Sequence, residues 1–170
     1  LFGRAHELEA IAGLFAEIQG ARQSGQLLLV GELGVGKTAL VSAALLRLPE
    51  STTILRVDCA FGASDVPNAA VADLVREAAG IPEQLAPEQA LSQLRDRLRK
   101  TLPGAERQKN ALLAFEPLLG GTRRSSEGDA GDRAQLLSRA VRDLLGAIAT
   151  RGPTVLWIDS AQFIDGASRD

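Results

Sequence analysis

The sequence has little of several residue types on which function often depends. It contains one cysteine, one histidine, one tryptophan and neither tyrosine nor methionine. A single cysteine, Cys59, forms no internal disulfide, and a single histidine, His6, is too little for a histidine-rich metal site. Lys and Arg number 19 and Asp and Glu 21, which gives a net charge of −2. The sequence therefore lacks the basic excess that is typical of chains that bind nucleic acid directly.

Long apolar runs and an N-terminal signal segment are absent too, so we expect a cytoplasmic chain without membrane contact. The 170 residues are 45% hydrophobic, which is enough for one sizeable core. Because the chain has no methionine, we expect its native start to lie upstream and the chain to be the N-terminal part of one domain.

The most informative segment is Gly31–Thr38, GELGVGKT, which matches the phosphate-binding pattern G-x-x-x-x-G-K-[ST] at every fixed position. The apolar run Gln26–Val30 before it predicts a buried strand, and the segment Lys37–Arg47 after it predicts a helix. Glycines let the loop's N–H groups approach an anion at the helix N-terminus. Lys37 is the candidate catalytic cation for the β- and γ-phosphates, and the Thr38 hydroxyl is a candidate Mg²⁺ ligand. The predicted nucleotide contacts in this segment are Gly31, Glu32, Leu33, Gly34, Val35, Gly36, Lys37, Thr38 and Ala39.

A second candidate site follows the turn signal Gly152-Pro153. The run Thr154–Asp159, TVLWID, predicts a buried strand that ends in a carboxylate. Ligands of open α/β sheets bind at the carboxyl ends of strands, so Asp159 is a candidate Walker-B ligand for Mg²⁺.

The residues after Asp159 favour nucleotide binding over fast hydrolysis. In many relatives of this NTPase class an acidic residue follows the Walker-B Asp and orients the attacking water, whereas here that position is Ser160. Gln162 and Asp165 are the other candidates for orienting or polarising a water, and both also fit a solvated loop.

Three stretches carry a resemblance to a known family. In order and spacing they resemble the AAA-type ATPase domain of the STAND class. They are the entry segment LFGRAHEL at residues 1–8, the P-loop VGELGVGKT at residues 30–38 and the Walker-B segment at residues 154–165. The chain is most similar to the N-terminal module of large ATP-binding LuxR-type transcriptional regulators and to modules of bacterial adenylate cyclases and protein kinases. Ser160 in place of a second Asp, and Phe163-Ile164 in place of Trp-Ala, depart from the family pattern.

The resemblance implies an α/β fold: a P-loop NTPase of the ASCE/AAA type, with a parallel sheet in a three-layer α/β/α arrangement that is truncated after the Walker-B strand. It implies ATP and Mg²⁺ as ligands, and places Arg4 near the adenine and ribose. The implied partners are ATP or ADP and the C-terminal domains of the same protein (lid, repeat and output domains), with possible self-association. No direct contact of this segment with nucleic acid is expected. The strand that normally separates the P-loop and Walker-B strands is expected beyond Asp170.

The domain organisation follows from hydrophobic periodicity. We assign residues 20–60 to the P-loop core, 61–132 to a helical insertion whose loop 120–132 is mobile, and 133–170 to a helix and the Walker-B strand. The predicted elements are helices at residues 6–19, 37–47, 68–79, 88–101, 106–119 and 133–150, and strands at 26–30, 52–59 and 154–159.

Three functions fit these residues. The first is a regulatory switch that binds Mg-ATP and hydrolyses it slowly within a larger signalling or transcription-regulatory protein. The second is an oligomeric AAA-type motor or loader, for which no arginine finger can be assigned. The third is a small-molecule kinase, for which no acceptor site is evident.

Overall fold

The computed structural model describes residues 3–59, 66–120 and 130–169. These residues fall into two compact units that divide between Thr52 and Thr53. The first unit contains two helices, α1 (Ala5–Ala21) and α2 (Lys37–Leu45). Leu8 from α1 and Leu40 and Ala44 from α2 form its small buried core, with Ile11, Leu29 and Ala43 packed beside them.

The second unit contains a parallel pair of strands, β1 (Thr53–Asp58) and β2 (Thr154–Asp159). Its helices are α3 (Ala69–Ala79), α4 (Pro87–Thr101), α5 (Ala105–Phe115) and α6 (Ala130–Ala149), and short 3-10 turns lie at Glu116–Leu119, Ala161–Phe163 and Gly166–Ser168.

The strands of the second unit pair in register, with Thr53 opposite Thr154 and Asp58 opposite Asp159. Leu55 and Val57 on one face of β1 are buried under α3. The intervening residues of β1 are exposed, so the strand has the alternating burial expected of a sheet covered on one face. Both strands end at the same edge of the sheet.

The helices of the second unit surround one apolar core. Its most deeply buried large side chains are Val75 on α3, Leu94 and Leu98 on α4, Phe115 at the end of α5, and Leu119. Local signals in the sequence set the helix ends: Pro87 occupies the first turn of α4, and Gly80 closes α3 with a φ of 67°.

Two sequence expectations need correction. The predicted strand Gln26–Val30 is not formed, since residues 23–32 contain neither helix nor strand. A strand exists only through backbone hydrogen bonds to a neighbour, and the one ladder among the described residues joins β1 and β2. Leu28 and Val30 are accordingly 72% and 85% exposed.

The second correction concerns where the predicted mobile loop at residues 120–132 ends. Residues 121–129 lie outside the described part of the chain. The last three residues of the predicted loop belong to α6, which begins at Ala130, so the helix starts earlier than the apolar periodicity indicated. None of the helices within the described ranges is both long and apolar enough to cross a membrane.

Candidate nucleotide-binding site

The loop Gly31–Thr38 leads directly into the N-terminus of α2. Gly36 is the residue before the helix and has a φ of 88°, and Gly34 has a φ of 80°. Both values lie in the left-handed region that residues with a Cβ atom rarely adopt, so the loop's course depends on glycine at these positions. A Cβ atom built on either glycine would meet no heavy atom within 4 Å, so glycine is favoured at these positions by the backbone conformation and not by lack of space.

Lys37 folds back over this loop. Its Nζ donates hydrogen bonds to the carbonyl oxygens of Gly31 and Glu32, both at 2.9 Å. The ammonium group is therefore held over the loop by neutral acceptors. An anionic phosphate is a stronger acceptor than a carbonyl, and the flexible side chain can turn to it without any change in the helix.

Arg4 contacts the same loop from the start of α1. Its guanidinium donates to Glu7 Oε1 at 2.8 Å and to the Val35 carbonyl oxygen at 3.3 Å. The hydrogen bond from Arg4 is the main cause that lowers the pKa of Glu7. The structure thus brings Arg4, which the sequence analysis assigned to the nucleotide, to the P-loop itself.

Asp159 is the last residue of β2. Its side chain is 17% exposed, and its Oδ1 accepts a hydrogen bond from the backbone N–H of Ser160 at 3.0 Å. Ser160 has a φ of 55°, an uncommon value for a residue with a side chain. The chain therefore turns sharply after Asp159, and this turn orients the carboxylate.

The two remaining predicted residues lie in different environments. Gln162 is exposed in the turn Ala161–Phe163, where its amide can contact water. Asp165 is only 2% exposed, and it lies against the N-terminus of α3. Gln162 and Asp165 are close in sequence, but only Gln162 is exposed to water.

Both oxygens of Asp165 are used in hydrogen bonds. Oδ1 accepts from the backbone N–H groups of Asn68 at 2.7 Å and Ser168 at 2.9 Å, and Oδ2 accepts from Ala70 N–H at 3.2 Å and Ser168 Oγ at 2.6 Å. Burial by itself raises the pKa of Asp165, but the hydrogen bonds from Ser168, Ala70 and Asn68 outweigh it and leave the pKa below its ordinary value. The carboxylate acts here as a helix cap.

The structure also reveals site neighbours that the sequence analysis missed. Asp58 is the in-register partner of Asp159, and the Arg56 guanidinium lies 3.0 Å from Asp58 Oδ2 and 3.8 Å from Asp159 Oδ2. Arg56 also stacks on Trp157, with its guanidinium carbon 4.3 Å from the ring centroid. One signal was available in the sequence: Asp58 ends the second apolar strand as Asp159 ends the later one.

Comparison with known proteins identifies the family. The family model described as the AAA ATPase domain matches residues 1–170. The chain therefore belongs to the AAA ATPase domain family, which implies a P-loop α/β fold and nucleotide binding. Searches of curated proteins and of solved structures found no match.

Each of the two predicted Mg²⁺ ligands has suitable chemistry by itself. Thr38 in the first unit offers a hydroxyl oxygen and Asp159 in the second unit a carboxylate, and oxygen ligands are those that Mg²⁺ prefers. No cluster of three or more His, Cys, Asp or Glu side chains suited to a metal occurs in the described ranges.

Proposed function

We propose that the chain is a regulatory switch that binds Mg-ATP and hydrolyses it slowly within a larger signalling or transcription-regulatory protein. The backbone of Gly31–Ala39 and the Lys37 ammonium bind the phosphates, and Arg4 borders the ribose and adenine. Thr38 and Asp159 bind Mg²⁺. Membership of the AAA ATPase domain family supports nucleotide binding. The left-handed glycines Gly34 and Gly36 at the N-terminus of α2 support the assignment of phosphates to this loop.

Slow hydrolysis rests on the residues beside Asp159. Ser160 has no carboxylate to orient a water, and its N–H is bonded to Asp159. Both carboxylate oxygens of Asp165 already accept hydrogen bonds from the α3 N-terminus and from Ser168. Gln162 stays a candidate for orienting a water through its amide.

The main observation in support of a switch is that the segment after Asp159 is hydrogen-bonded to α3. Five residues separate Asp159 from Asp165 within one short segment, and Asp165 holds the N-terminus of α3 through Asn68 and Ala70. A change in the turn at Ser160 when Asp159 binds Mg²⁺ would be transmitted through this segment to α3. That helix packs on β1 and contacts α4, so the signal reaches the helical part of the second unit.

The resemblance to STAND-class modules of LuxR-type regulators supports further C-terminal domains, self-association and an output in transcription or signalling. We also infer that the parallel pair and its helices belong to a three-layer α/β/α sheet of the ASCE/AAA type.

Hydrogen exchange of the α3 amides tests the switch. We expect the N–H groups of Asn68 and Ala70 to exchange at different rates with Mg-ATP, with Mg-ADP and without nucleotide, because Asp165 holds them. A Lys37→Ala variant serves as the control and should show one rate in all three conditions. Bound nucleotide with identical α3 exchange in wild-type protein would contradict the switch and leave nucleotide binding intact.

A further inference from the structure

Helices α5 and α6 enclose a cavity of about 260 Å³ within the second unit. Its wall on α5 is formed by Arg107, Asn110 and Ala111. These positions are three and four residues apart, so they lie on one face of the helix. Ala111 is buried, Asn110 is half-buried and Arg107 is exposed. This wall is therefore apolar at its base and charged at its rim.

The wall on α6 has the same organisation. It is formed by residues at helical spacing: Leu136, Arg139, Ala140 and Asp143. Ala140 is buried, Leu136 and Asp143 are half-buried, and Arg139 is exposed. The two walls together give the cavity an apolar base, two guanidinium groups, one carboxylate and one amide.

The charged side chains of this cavity are not paired within the part of the chain that the structure describes. Arg139 and Asp143 are four residues apart on α6, a spacing at which an Arg and an Asp can form an ion pair along a helix. The ion pairs found in the described ranges include neither of them, nor Arg107. Their charges can therefore be used by a ligand without breaking an existing ion pair.

We propose that this cavity binds a free amino acid with an apolar side chain. Arg107 and Arg139 donate hydrogen bonds to its carboxylate, because the planar guanidinium group matches the geometry of a carboxylate. Asp143 accepts a hydrogen bond from its ammonium group, and the apolar base of the cavity contacts its side chain.

The size of the cavity supports a ligand of this class. Pockets for drug-sized ligands measure about 300–1,000 Å³, so this smaller cavity suits a smaller molecule. The site is separate from the proposed nucleotide site, because its lining belongs to α5 and α6 and includes none of the predicted nucleotide or Mg²⁺ ligands. The two proposals can therefore fail independently.

Isothermal titration of the full-length protein with L-leucine and L-phenylalanine tests the proposal. A matched analogue, 4-methylpentanoate, is leucine without its amine. We expect both amino acids to bind. The analogue should bind about 10- to 100-fold more weakly than leucine, because it lacks the charge-assisted hydrogen bond to Asp143.

Variants of the charged residues assign the two ends of the ligand. Arg139→Gln should weaken both leucine and 4-methylpentanoate about 10-fold or more, because both contain the carboxylate. Asp143→Asn should weaken leucine to a similar extent and leave 4-methylpentanoate unchanged. Arg142→Gln is the matched control, an exposed arginine on α6 outside the cavity lining, and should match wild type. Thermal melting shows whether each variant is folded, and Arg107→Gln replaces Arg139→Gln if the latter is not.

Two results would overturn this site. The first is full-length protein that binds neither amino acid at concentrations up to about 10 mM, which would leave only a solvated groove. The second is leucine binding that the cavity variants weaken no more than Arg142→Gln does, which would place the bound leucine elsewhere in the protein. Neither result changes the proposed function, since Mg-ATP affinity is measured separately.

Discussion

The backbone N–H of Asn68 donates to Oδ1 of Asp165 at 2.7 Å, across 97 residues of sequence. The bond joins the N-terminus of α3 to the segment that follows the Walker-B strand. Ala70 N–H adds a second bond to the same carboxylate. Asp165 is therefore one of the residues that connect the segment after β2 to the helical part of its unit, beside Ser168, whose Oγ accepts from Val71 N–H at 3.4 Å.

Loss of the Asp165 carboxylate should destabilise the protein. Asp165→Ala removes the acceptor of the half-buried N–H groups of Asn68 and Ala70, so we expect the free energy of unfolding to fall by about 1–3 kcal/mol. Denaturant titration measures it. Gln162→Ala, three residues away and exposed, is the control and should change stability by less than about 0.5 kcal/mol. Equal effects of the two substitutions would show that the cap does not stabilise the fold.

The Asp165 carboxylate should also make the free energy of unfolding depend on pH. The pKa of Asp165 is lowered in the folded state, so this carboxylate binds a proton more readily in the unfolded chain. Its contribution to stability is therefore complete above the ordinary Asp pKa of about 3.9. It is lost as the pH falls through the lowered folded-state pKa. Urea titrations between about pH 6 and pH 3 should show a steeper loss of stability for wild type than for Asp165→Asn. Parallel curves for the two proteins would contradict the assignment.

Arg4 should contribute modestly to nucleotide affinity. Its guanidinium contacts the Val35 carbonyl of the P-loop, so Arg4→Ala removes a positive charge and a donor at the proposed site. We expect Mg-ATP affinity to fall about 2- to 10-fold, the range for one hydrogen bond, measured by equilibrium titration. Arg47→Ala removes an exposed charge after α2 and controls for net charge. An affinity of Arg4→Ala equal to that of the control would argue against the role of Arg4.

The core of the second unit should be sensitive to truncation at Phe115. This side chain is 0% exposed and contributes to a core shared by several helices. Phe115→Ala should lower the free energy of unfolding by about 3–5 kcal/mol through lost burial and the cavity left behind. Leu46→Ala, at a side chain that is 88% exposed, should have little effect in the same denaturation experiment. A Phe115→Ala variant as stable as Leu46→Ala would show that the core tolerates the cavity.

The sequence predicted the features that depend on local patterns. The P-loop is contiguous and its residue types follow from the chemistry of phosphate binding, so Gly31–Thr38 could be assigned without a structure. Apolar repeats at helical spacing likewise located the helices, and the structure has β1 at Thr53–Asp58 within the predicted strand. AAA ATPase family membership confirms that the domain is of a nucleotide-binding class.

Features that depend on distant partners could not be predicted in the same way. The apolar run Gln26–Val30 indicates a preference for burial, but a strand also needs a neighbour, and no ladder includes this segment among the described residues. Asp165 looked like a loop carboxylate because its partners on α3 are nearly a hundred positions away. The end of an apolar strand at Asp58 is visible in the sequence, but its register with Asp159 is visible only in the paired strands.

The central claim is that the chain binds Mg-ATP at the P-loop and converts it slowly. The most direct test is to incubate the full-length protein with Mg-ATP and quantify protein-bound ATP and ADP over hours, beside Lys37→Ala. The account predicts bound ATP that turns slowly into bound ADP in wild type, and little bound nucleotide in the variant. Wild-type protein that retains no nucleotide, or binds it equally well after Lys37→Ala, would contradict the account.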